Sequence, residues 1–145
     1  MTDTEKLLEL EAIRELVARR VRSIDEKDWA GFAATYAPDA VSNSLQAAYG
    51  EPIIGSEKIA AGVAEQLKGR TTVHQIHLPE IRILSATTAE GIIPLEDWLW
   101  WEQDGRQMWL HGWGHYRQTF EKIDGRWLIK NHTLTRLKVE TGVTP

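Results

Sequence analysis

A chain of 145 residues, 42% hydrophobic and 26% charged, is long enough for one ordinary core, so a single domain covering 1–145 is expected. Its formal net charge of −4, with no basic run, argues against nucleic acid or an anionic membrane as a partner. The lack of cysteine excludes disulfides, thiol nucleophiles and thiolate metal sites. The acidic, amphipathic N-terminus does not read as a leader and no stretch of about 18 apolar residues occurs, so a cytoplasmic protein is expected.

From Glu5 to about Lys27, Leu10, Ile13, Leu16, Val17, Val21 and Ile24 recur at helical spacing and predict one long amphipathic helix. Arg20 falls on that apolar stripe, where it either snorkels past the core or points into a cavity. Asp25 follows near the helix end, where the macrodipole disfavours a carboxylate. Residues 28–36 read as a short helix capped by Asp28 and ended by Ala37-Pro38, followed by a strand over 41–45. The segment 46–55 reads as a loop whose Tyr49 suits a flap over an apolar pocket. Ser56 is expected to cap a third helix over 57–68, with Ile59, Val63 and Leu67 on one face. An extended run over 71–84 follows, with Pro79 at an edge or bulge.

After a turn near 85–88 the chain reads as three long strands joined by Asp104-Gly105 and Asp124-Gly125, the dipeptides that two-residue hairpin turns favour. Residues beyond Val139 read as a loose tail. Helices first and antiparallel strands after them predict an α+β fold, with a curved sheet wrapped as a cone around three N-terminal helices and a deep pocket at the open end.

Within the strands, titratable residues interrupt apolar rows. Strand parity places His132 with Arg136, Asp97 with Leu95 and Leu99, and His111 with Trp109, Trp113 and His115. An apolar cavity lined by His, Asp and Arg suits proton transfer, because burial and neighbouring charge move His and carboxylate pKa values toward working pH. A metal is not expected. His74 and His77 point to opposite faces of a strand, and His111 and His115 lie about 13 Å apart on one face. No serine stands in a strand-turn-helix elbow.

The pattern resembles, over about residues 8–139, the SnoaL-like branch of the nuclear-transport-factor-2-like superfamily. SIDEKDWAGF is similar to the end of the first helix in scytalone dehydratase and bile-acid 7α-dehydratase, which implies a catalytic aspartate at Asp25. VHQIHLPEI is similar to the strand bearing the family's catalytic histidine, which implies His74 rather than His77. The Asp–His dyad of hexachlorocyclohexane dehydrochlorinase falls on the same two residues. LHGWGHYRQTFEKIDGRW resembles the scytalone dehydratase strand with a second histidine, at His111. LEDW and TLTRL are similar to the bile-acid enzyme around its active-site acid and arginine, implying Asp97 and Arg136. The water-holding tyrosines of scytalone dehydratase fall near Ile24 and Ser44, and Arg20 stands where the bile-acid enzyme has tyrosine and the dehydrochlorinase lysine.

The resemblance implies a cofactor-independent lyase, dehydratase-like, acting on a hydrophobic cyclic or aromatic molecule. His74 would be the base and Asp25 its orienter; His111 or a protonated Asp97 would serve the leaving group, and Arg20 or Arg136 the developing oxyanion. Arg20, Tyr49, Trp98, Trp113 and His132 are expected to line the substrate. A ketosteroid-isomerase-like isomerase, an elimination of hydrogen halide or formaldehyde, and a non-catalytic binding domain are the alternatives. A homo-oligomer is expected because the five tryptophans between 98 and 113 exceed what a small pocket buries, and the resemblance implies a trimer ahead of a dimer.

Overall fold

The apolar stripe of the N-terminus forms helix α1, Asp3–Asp25, in the computed structural model, which describes residues 1–44 and 51–145. It begins two residues before the predicted start because Thr2 and Glu5 close a capping box, each satisfying a backbone N–H near the other. Asp25 is its last residue, and Lys27 at φ 59° turns the chain away. Asp28 then caps α2, Trp29–Ala33, through the Gly31 N–H at 2.9 Å.

This second helix is shorter than the predicted one. Pro38 excludes the helical conformation from the residue before it, and Tyr36 already opens β1, Tyr36–Ser42, pairing with Ile129. Leu45 and the proposed flap residue Tyr49 lie outside the described residues. Beyond them, β2 (Ile53–Ile54) pairs with β1 and leads to α3, Ser56–Gln66. Ser56 is not the cap of α3. Gly55 takes that position with no side-chain bond, at φ 104°, a conformation strained for other residues.

The run 71–84 divides into β3, Thr71–Ile76, and β4, Glu80–Ile83, both antiparallel to β5, Thr88–Gln103. Pro79 falls in the gap between β3 and β4. Pro94 of β5 sits opposite that gap, where a strand residue without an N–H leaves no ladder bond unmade, and its carbonyl accepts the His77 N–H at 2.8 Å. β6, Arg106–Ile123, and β7, Arg126–Val143, complete the meander. The two Asp-Gly turns form as read, with φ 53° and 74° at 104–105 and 49° and 77° at 124–125. The expected loose tail is instead strand: Val139 pairs with Gly112 and Val143 with Met108.

The sheet order is β2-β1-β7-β6-β5-β3, with β4 also on β5. Among the described residues all pairings are antiparallel except β1 with β7. That parallel pair joins strands separated by most of the chain, so no hairpin constrains its direction. The fold is thus α+β, with helices ahead of a curved, mostly antiparallel sheet.

One face of the sheet carries the core. Ile13, Leu16, Val17 and Ile24 of α1 pack with Ile93, Leu95, Tyr116, Phe120 and Ile129. Along β5 burial alternates so that Ala89, Gly91, Ile93, Leu95 and Asp97 face inward. Register carries that parity to β6. Asp97 pairs with Gly112 and Trp98 with His111, so Gly112, Gly114, Tyr116 and Gln118 face inward while His111, Trp113 and His115 face out.

Candidate active site

The end of α1 and the middle of β3 meet at Asp25 and His74. Asp25 Oδ1 lies 2.6 Å from His74 Nδ1, and Oδ2 accepts the His74 backbone N–H at 2.8 Å. The Thr72 hydroxyl donates to Oδ1 at 2.9 Å, and Lys27 Nζ donates to the Thr72 oxygen at 2.9 Å. Burial works to raise the Asp25 carboxyl, but the ring and backbone N–H groups of His74, with Thr72, outweigh it and hold it below the ordinary carboxylate value. Asp25 is therefore the acceptor and Nδ1 of His74 carries a proton, so that in the neutral ring the lone pair is the one on Nε2.

That nitrogen faces a second carboxylate. Asp97 Oδ2 is 3.9 Å from His74 Nε2, consistent with the pairing of His74 opposite Asp97 in register. Arg136 holds Asp97 bidentately, Nη1 to Oδ1 at 2.6 Å and Nη2 to Oδ2 at 2.9 Å. The pair lies over Gly112, where a Cβ would stand 2.7 Å from Asp97 Oδ1. Both Asp97 oxygens accept from the guanidinium, so neither is placed to donate a proton to a leaving group, which corrects the expectation of Asp97 acting as acid.

His111 is not brought to this site. It lies on the opposite face of the sheet, between Trp98 and Trp113 at 3.7 and 3.8 Å centroid separation, with Nε2 3.0 Å from Glu96 Oε2. The expected roles of His111 as acid, and of Trp98 and Trp113 as pocket lining, are corrected by the same fact: odd positions of β6 and even positions of β5 face outward. His77 also lies outward, 3.6 Å from Glu96.

Arg20 and His132 are inward and buried. Arg20 Nε donates to the Tyr36 hydroxyl at 2.9 Å, and Nη2 to His132 Nε2 at 3.0 Å. The guanidinium sits over the Tyr116 ring, 4.7 Å from its centroid. Tyr36, Tyr116 and Gln118 belong to this inner cluster and were not singled out from the sequence. Gly112 and Gly114 were the available signal, because glycine inside a strand marks a close approach and hence the inward parity of β6.

Burial, and then the Arg20 charge, push the His132 ring well below its ordinary value, so it is neutral. The unfolded chain takes up a proton at His132 below about pH 6.5 and the folded one does not, so folding weakens as pH falls through that range. His132→Gln is expected to be less stable than wild type at pH about 8 yet lose less stability down to about pH 5. Urea midpoints at several pH values measure the two slopes, and parallel slopes would contradict the assignment.

A hollow of about 620 Å³ lies on the other end of the sheet, lined by Glu80, Arg82, Glu90, Ile92 and Arg117 among others. Seven residues of strand, about 20 Å, separate Glu90 from Asp97. Among the described residues no three His, Asp or Glu side chains are grouped to hold a metal ion, and no helix is long and apolar enough to cross a membrane.

Comparison with solved structures places this arrangement among known folds. A candidate scytalone dehydratase of Novosphingobium aromaticivorans superposes with a TM-score of 0.81 at 21% identity, covering 97% of this chain and 91% of that one. A type 2 hexachlorocyclohexane dehydrochlorinase gives 0.83 at 16% identity, over 97% and 93%. The type 3 dehydrochlorinase of Novosphingobium barchaimii gives 0.78 at 16%, over 97% and 94%. The fold is the nuclear-transport-factor-2-like one, and the model of the SnoaL-like domain matches residues 5–133. With nine-tenths of its length inside that match, the chain belongs to the SnoaL-like family.

Proposed function

We propose that the protein is a cofactor-independent lyase of the dehydratase type, acting on a hydrophobic cyclic or aromatic small molecule. The observation that carries the reading is the imidazole of His74 set between two carboxylates, Asp25 on Nδ1 at 2.6 Å and Asp97 at 3.9 Å from Nε2. Asp25 fixes the tautomer, and both anions stabilise the imidazolium that forms when Nε2 takes a proton. That proton comes from the carbon beside an electron-withdrawing group of the substrate. With His111 on the far face, the imidazolium is itself the donor to the leaving hydroxyl. The C–H and C–O bonds break, the double bond forms, water departs and His74 returns to its neutral state. Fold likeness to a candidate scytalone dehydratase and to dehydrochlorinases supports the reaction class.

The test is turnover of cyclic β-hydroxy ketones, followed by the ultraviolet absorbance of the conjugated product. Product from wild type but not from His74→Ala supports the reading. Movement of a double bond without departure of hydroxyl would replace it with an isomerase, since the same nitrogen can return its proton to carbon.

The outer face supports a second part of the proposal, a homo-oligomer. Trp98, Trp100, Trp109 and Trp113 lie on the face opposite the helical core and are half-buried rather than covered. Such aromatic surface fits a second copy of this chain. Sedimentation is expected to give a multiple of 16.5 kDa, and Trp98→Glu to move it toward the single-chain mass. A wild-type mass equal to one chain at micromolar concentration removes this part.

A further inference from the structure

Arg20 is 3% exposed, yet no carboxylate of the described residues lies within ion-pair distance of it, and residues 45–50 contain no acid. A buried cation without a counter-charge is costly, and the neutral partners Tyr36 and His132 and the ring of Tyr116 compensate only in part. Nη1 of this guanidinium is buried with no hydrogen-bond partner among the described residues.

Two more unpartnered polar groups lie on, or just beyond, the strands that flank His132. Gln118 bonds His132 Nδ1 at 2.8 Å, and Gln118 is 3% exposed. A guanidinium only donates, so Nε2 of the neutral ring is the acceptor and Nδ1 carries the proton. The atom of Gln118 facing Nδ1 is then its amide oxygen, and the group left without a partner is the amide NH2. Ser42 pairs with His132 in register, and two residues on, the Ser44 hydroxyl is also buried without a partner among the described residues. The three unmatched groups are a guanidinium N–H, an amide N–H and a hydroxyl. All of them can donate.

We propose that Arg20, Gln118 and Ser44 recognise a carboxylate on the substrate, which supplies the counter-charge that the fold omits. This deepens the lyase reading and rests on it for the word substrate. It names a cyclic or aromatic carboxylic acid as the class. Five residues of helix, a rise of about 7.5 Å, separate Arg20 from Asp25, which suits an anion one ring away from the carbon that His74 deprotonates.

Calorimetric titration at neutral pH with benzoate and cyclohexanecarboxylate, against benzamide and cyclohexanecarboxamide, tests the inference without turnover. Each carboxylate is expected to bind at least about tenfold more tightly than its amide. Arg20→Gln and, as a milder change, Gln118→Met should each reduce that ratio, the first to near unity. His74→Ala should leave it intact, which separates this site from the base. Carboxylate and amide binding alike in wild type, no binding of either carboxylate up to its solubility limit, or an unchanged ratio in both variants would overturn the proposal. A carboxylate preference without any elimination would remove the lyase reading and leave the anion site. Turnover of neutral ketones with no carboxylate preference would do the reverse.

Discussion

His74→Ala is expected to lower elimination turnover by about 10²- to 10⁴-fold or more while the protein stays folded. The residue's side chain is 9% exposed, and its removal deletes the one nitrogen lone pair set between Asp25 and Asp97. Asp25 keeps the His74 backbone N–H at 2.8 Å and the Thr72 hydroxyl at 2.9 Å, so the carboxylate is not abandoned and the helix end remains tied to β3. His77→Ala is the matched control, because His77 lies on the outer face beside Glu96 and should leave turnover near wild type. Asp25→Asn should cost less than His74→Ala if Asp25 orients rather than reacts, and the loss should appear in kcat more than in KM. Circular dichroism of each variant separates loss of chemistry from loss of fold. Full activity in His74→Ala, or its abolition in His77→Ala, would move the base to another residue.

Arg136→Met should be the most destabilising single change at the site, by about 3 kcal/mol or more. Asp97 is 4% exposed and would keep a buried charge with no hydrogen-bonded partner, since His74 Nε2 at 3.9 Å is too distant to replace the two guanidinium bonds. At this chain length that corresponds to a fall in Tm of about 10 °C. Asp97→Asn in the Arg136→Met background should recover a large part of the loss, because a neutral amide removes the unpaired charge even though it restores no ion pair. Denaturant midpoints of the two single variants and the double variant close the cycle. An Arg136→Met midpoint indistinguishable from wild type would mean that the pair contributes nothing to the folded state.

Much of the architecture is legible along the chain because it depends on neighbours in sequence. The apolar period of α1, the Asp28 cap, the Pro38 break and the two Asp-Gly turns are local devices, and each acts within a few residues of where it is written. The site was legible only in part. Asp25 and His74, 49 residues apart, were paired through resemblance of two short motifs, and the contact itself is made by the tertiary structure.

Parity within a strand assigns residues to two rows, and it grouped His111 with Trp113 and Asp97 with Leu95 correctly. It does not say which row faces the helices. That depends on register between strands, since a shift of one residue exchanges the faces of a whole strand, and the pairing of Asp97 with Gly112 sent His111, Trp98 and Trp113 outward. The same dependence hid Tyr36 of β1 and Tyr116 and Gln118 of β6, which meet only where the sheet curves over Arg20. Sequence by itself determined most of the elements, their order and the family motifs, because those follow from local sterics and hydrophobic period. The tertiary structure alone decided which titratable groups share a face, because that is set by hydrogen-bond register between distant segments and by the packing of α1 against one side of the sheet.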